Sequence, residues 1–137
     1  MEEKIVMRGV IGGLSGPEEV PFESFIEPGR QGIDRFILYG LRETGPNGPE
    51  ASLLRFKPGA HSNRHRHPGH ELILVLAGML EDETDATYPA GTLIVMRPGS
   101  IHTVHSSTGC TLLVIREKPV EPVPDVPSET ERMKARI

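Results

Sequence analysis

The chain has 137 residues, enough for one domain and short for two. Its 19 acidic and 15 basic residues leave a formal net charge of −4, which argues against nucleic acid or an anionic membrane surface as partner, since both select clustered positive charge. Apolar side chains make up 36%, which excludes wholesale disorder, while 15 glycines and 13 prolines predict many turns and few long helices.

Residues 4–11 read as an edge strand, followed by the loop Gly12-Gly13-Leu14-Ser15-Gly16-Pro17. The start M-E-E-K-I-V-M carries no cationic stretch followed by an apolar one, so no secretory signal is expected. Short apolar segments then follow at 34–39, 51–56, 72–76, 93–96 and 111–115. Each is four to six residues, rich in Ile, Leu and Val, a length that suits strands better than helices. Breakers separate them: Gly45-Pro46-Asn47-Gly48, Lys57-Pro58-Gly59 (which should end the second segment), Pro89-Ala90-Gly91 and Arg97-Pro98-Gly99. The pattern predicts an all-β sandwich or barrel. The longest apolar run, residues 72–80, is far too short for a membrane-spanning helix. From Lys118 onward prolines at 119, 122, 124 and 127 predict an extended tail, and Ser128-Glu129-Thr130-Glu131 reads as a helix start with a capping box. The lone cysteine, Cys110, allows no internal disulfide, which fits a reducing cytoplasmic compartment.

The histidines carry the first sign of chemistry. All six lie between positions 61 and 105: His61, His65, His67, His70, His102 and His105. On an extended segment residues i and i+2 face the same way, so His65 and His67 present two imidazoles side by side. Glu71, at the start of an apolar segment, can bring a carboxylate to the same point, and His102 arrives from a distant strand–turn unit. Three neutral nitrogens and one anionic oxygen suit a divalent metal. His105, three residues after His102, should face away from it. His61 reads as solvated, His70 as pointing away from its neighbour Glu71, Cys110 as a small buried residue, and Tyr88 as packing beside a turn. Arg55, Arg66 and Arg97 are left outside the site.

The stretch from Gly59 to Gly78 fits the first cupin motif, G-x5-H-x-H-x3-E-x6-G, at every fixed position. The second motif, G-x5-P-x-G-x2-H-x3-N, falls on Gly91, Arg97, Gly99, His102 and Ser106. Two positions depart from it. Arg97 stands for Pro, with Pro98 one place later, which could re-aim the turn before His102, and Ser106 stands for Asn. The sequence thus resembles the cupin superfamily over roughly residues 30–118. Within it the chain is similar to the small cupins related to the metal-binding domain of ChrR-type anti-sigma factors and to acetylacetone-cleaving dioxygenases.

The resemblance implies a cupin β-sandwich barrel of two antiparallel sheets over residues 1–118, with the motif core at about 51–116 and a Pro-rich tail at 119–137. It also implies a homodimer and one divalent metal ion per chain, held by His65, His67, Glu71 and His102. No zinc anti-sigma domain of the ChrR type is expected, because the roughly 30 residues before the motif region hold no Cys or His.

Function divides three ways. On a six-coordinate ion, four protein ligands leave two positions open, as a mononuclear dioxygenase needs, with Fe2+ favoured and Mn2+ or Ni2+ as alternatives. An isomerase or lyase would use the same ligands without oxygen. On four-coordinate Zn2+ the set would close the site and give a sensory or regulatory module. The scarcity of aromatics, two Tyr, four Phe and no Trp, points to a cavity lined by Leu, Ile, Val and Met. Such a cavity suits a small chelating dicarbonyl or hydroxy-ketone.

Overall fold

A computed structural model describes residues 4–11 and 20–124. The helix expected after Ser128 lies outside these residues. The described chain is built almost wholly of strands, every one paired antiparallel. They are β1 (Glu23–Ser24), β2 (Gln31–Tyr39), β3 (Glu50–His61), β4 (His65–Arg66), β5 (Glu71–Asp82), β6 (Thr87–Pro89), β7 (Leu93–Met96), β8 (Ile101–His102), β9 (Val104–Ser106), β10 (Cys110–Arg116) and β11 (Glu121–Pro122). One helical turn, α1 (Leu41–Thr44), joins β2 to β3. Its Gly40 N–H donates to the Glu43 carboxylate at 3.0 Å. Among the described residues no helix is long and apolar enough to cross a membrane.

The large sheet runs β1-β2-β3-β10-β5-β6, with β7 on β5 and β9 bridging β3 and β5. A small sheet, β11-β4-β8, forms the second wall. Together they make the barrel that the short strands and regular turns predict. Alternation along the long strands divides their side chains. Leu54 and Phe56 of β3, Ile73 and Val75 of β5, and Leu112 and Val114 of β10 fill the interior. Their neighbours Leu53, Leu74, Leu76 and Leu113 form a second cluster on the outer face.

That outer cluster explains a correction. Residues 4–11, read as an edge strand, form no strand. Met7 and Val10 instead pack with Val20 and Phe22 against Leu53 and Leu76. The segment's apolar spacing reflects a chain laid across a sheet, where side chains and not backbone groups make the contact.

The second correction is at Lys57-Pro58-Gly59, which interrupts β3 without ending it. Ile33 pairs with Phe56 while Gln31 pairs with His61, so the intervening residues of β3 bulge out of register. Pro58 is tolerated there because a bulge needs no ladder hydrogen bond from it. Beyond the bulge, Ala60 and His61 take β9 as partner. The strand therefore changes direction and delivers residues 62–67 to the barrel mouth.

Candidate metal centre

Four side chains meet inside this mouth, three from residues 65–71 and one from residue 102. His65 on β4 lies directly across from His102 on β8. His67 follows β4, and Glu71 is the first residue of β5. The four offer donor atoms that all lie within 4.8 Å of one another. All are buried, with Glu71 at 2% exposure and His67 at 1%. The three imidazoles stand edge to face, with ring centroids 4.5–4.9 Å apart.

Backbone carbonyls set the rings. His65 Nδ1 donates to the Asn63 carbonyl at 2.8 Å, and His67 Nδ1 to the Ser100 carbonyl at 3.2 Å. A carbonyl can only accept, so each Nδ1 carries the proton and each Nε2 is turned inward, the arrangement metal-binding imidazoles use. His65 Nε2 lies 2.8 Å from His102 Nε2, and His67 Nε2 lies 3.0 Å from Glu71 Oε1. The Pro98-Gly99 turn is tied to His67 at both ends: His67 N–H donates to Ser100, and Gly99 N–H to the His67 carbonyl. The proline displaced from its motif position thus leaves His102 in the cluster. Ser106, standing for Asn, is buried and donates to the Met79 carbonyl.

The electrostatics suit metal binding. Burial, reinforced by the His102 ring, lowers His65 to about 4. Burial together with His67 lowers His102 to about 4. Both are therefore neutral at pH 7, as ligands must be. Burial pushes Glu71 upward, but without a metal a proton on His67 Nε2, donated to the carboxylate, and the Arg116 charge outweigh it and bring the carboxyl to about 2. Arg116 donates from Nε to Glu71 Oε2 and from Nη1 to Glu50 at 3.0 Å. One oxygen of Glu71 is thereby held by the guanidinium, while the other faces His67.

The cluster opens onto a cleft of about 370 Å³, its open mouth included. Its apolar wall is Ile33, Leu54, Ile73, Val104, Leu112 and Val114. The aliphatic lining follows the sequence reading, but methionine takes no part, and Phe25 and Phe56 stand in its place.

The remaining histidines lie outside the cluster. His61 is exposed, and His70 is exposed and bound to Glu117. His105 is partly exposed and bonded to Glu81 at 3.1 Å. Arg55 pairs with Asp34, Arg66 with Glu121, and Arg97 is exposed. Cys110 is buried, and burial raises its thiol to about 12. Tyr88 donates to Asp82 at 2.6 Å and packs against the core.

Sequence reasoning missed four supporting residues: Arg30, Asn63, Ser100 and Arg116. Arg116 alone had a readable signal. Leu112 and Val114 point inward, and the same parity carries Arg116 inward too.

A closed antiparallel barrel enclosing three histidines and a carboxylate defines a cupin. This chain belongs to the ChrR cupin-like domain family, whose model matches residues 17–120. No curated protein matches its sequence. Among solved structures, acetylacetone dioxygenase from Acinetobacter johnsonii is 17% identical, with a TM-score of 0.70 over 91% of this chain and 80% of that one. The polyketide cyclase RemF from Streptomyces resistomycificus is 21% identical, with a TM-score of 0.64 over 87% and 89%. A chain from the complex of Rhodobacter sphaeroides SigE with the anti-sigma ChrR is 28% identical, with a TM-score of 0.57 over 72% of this chain. This chain spans half the length of that one.

Proposed function

We propose that the chain holds one divalent metal ion through His65, His67, Glu71 and His102. We further propose that it acts as a mononuclear dioxygenase on a small chelating dicarbonyl or hydroxy-ketone. The observation that carries this reading is a buried set of four donors facing an aliphatic cavity that reaches the surface. A six-coordinate ion in this set would supply Lewis acidity and two open positions for substrate and dioxygen.

The protein's own contribution is positional. Asn63 and Ser100 fix the two ring orientations. Arg116 holds Glu71 ionised and turned. The aliphatic wall keeps water away from a bound ligand and offers it no competing polar contact. Dioxygen uptake stoichiometric with loss of a chelating ketone by the iron-loaded chain supports the reading. Substrate loss without oxygen uptake would replace it with isomerase or lyase chemistry.

A second reading has one observation in its favour. β11, the start of the Pro-rich tail, pairs with β4, which carries His65. A zinc ion closing the site could therefore tighten the tail's seat, as a regulatory module would require. Stoichiometric zinc with no oxygen chemistry, and a tail whose protease sensitivity changes with zinc, would favour it.

A further inference from the structure

Arg30 is the least satisfied buried group among the described residues. Its side chain is 4% exposed, and it lines the same cavity as His65, Glu71 and His102. It reaches this position through Gly29, whose φ is +82° and where a Cβ would lie only 3.2 Å from that of Asn63. The guanidinium lies over the Phe25 ring, 3.5 Å from its centroid. Nη2 donates to Asn63 Oδ1 at 3.0 Å. Nε and Nη1 are buried and donate to nothing. The Glu27 carboxylate, 42% exposed, lies 3.5 Å from Nη1 without a hydrogen bond.

Leaving two donors of a buried cation without acceptors is unfavourable, so the arrangement points to an acceptor that arrives from elsewhere. The charges point the same way. Arg30, Glu71 and Arg116 are the charged residues described as lining the cavity. Arg116 is held by Glu71 and Glu50, while Arg30 faces only the partly exposed Glu27. A divalent ion would tip the sum of these charges to positive. The cavity therefore favours a small anion. A carboxylate oxygen can accept from Nε or from Nη1, the donors that lack a partner on the two edges of the guanidinium.

We infer that Arg30 is the anion-binding side chain of this cavity, and that the ligand drawn to the metal is a small oxo acid whose carboxylate Arg30 receives. This rests on the reading of the cluster as a metal site and narrows its substrate class.

Acetoacetate and acetylacetone test it, because they share a dicarbonyl frame and differ by a carboxylate in place of an acetyl group. Both are titrated calorimetrically into the nickel-loaded full chain, whose six-coordinate ion leaves positions open, and into nickel-loaded Arg30→Gln, with nickel content measured in each. The expected result is a preference for acetoacetate of roughly tenfold or more in the wild type. In Arg30→Gln nickel stays stoichiometric and the preference falls to near one. If Arg30→Gln fails to fold, Arg30→Lys keeps the charge and is expected to retain part of the preference. Equal affinity in the wild type, no binding of either compound, or a preference that survives in Arg30→Gln overturns the inference while leaving the metal site standing. A wild type that takes up no nickel overturns the metal reading, and this inference with it.

Discussion

At the scale of single residues, the site is prepared for a cation by the burial of its ligands. The metal-free protein should show this through pH. His65 and His102 each bind a proton near pH 6.5 when unfolded but only near 4 when folded. The unfolded chain therefore binds more protons between those values, and stability falls as pH drops from about 6.5 to 4. Glu71, lowered from 4.5 to about 2, adds a further loss below pH 4.5 in the same direction. Chemical denaturation of the metal-free chain at pH 7, 5.5 and 4 should give steadily lower midpoints. The same shifts delay proton competition with the metal. Metal retention is expected to extend to lower pH than with these two shifts absent, checked by metal content after dialysis between pH 7 and 4. Arg116→Met should be severe, because it strips a buried carboxylate of its cation. A loss of about 3–5 kcal/mol is expected on denaturation. A loss below about 1 kcal/mol would show that Arg116 does not hold Glu71.

At the scale of elements, turns and pairings aim the ligands, and two tests address them. Gly29 and Gly59 have nearly the same φ, +82° and +83°, but different surroundings. At Gly59 a Cβ would meet nothing within 4 Å, whereas at Gly29 it would press on Asn63. Gly59→Ala should cost about 1 kcal/mol and leave metal affinity unchanged. Gly29→Ala should cost more and weaken metal binding, because Asn63 orients His65. Equal effects on metal affinity would refute that link. The tail gives the second test. β11 pairs with β4, Val123 N–H donates to Arg64, and Arg64 donates to Pro124 at 2.7 Å. Truncation after Lys118 should lower metal affinity by roughly tenfold, the equivalent of one or two lost hydrogen bonds. Unchanged affinity would mean that β4 holds its place without the tail.

At the scale of the whole molecule, the fold was legible wherever apolar segments sat between breakers. The segments at 34–39, 51–56, 72–76, 93–96 and 111–115 all fall within strands. What the sequence hid was strand length and partner. Pro58-Gly59 looks like an end because a bulge and a turn use the same residues. Residues 4–11 look like a strand because packing across a sheet and pairing at its edge both need apolar spacing. The four clustered donors were legible because β4 and the segment after it hold His65, His67 and Glu71 within seven positions. Arg30 and Asn63 were not. Their positions depend on a bulge and a glycine turn that bring distant residues together, and neither belongs to a ligand pattern. The central claim is that His65, His67, Glu71 and His102 form one metal site. It is tested most directly by elemental analysis of the purified chain beside the double variant His65→Ala/His102→Ala. The account predicts about one divalent metal ion per chain in the wild type, and its loss from a variant that still shows a β-rich circular dichroism spectrum. Equal metal content in both proteins, or none in either after incubation with iron, zinc, manganese or nickel, would contradict it.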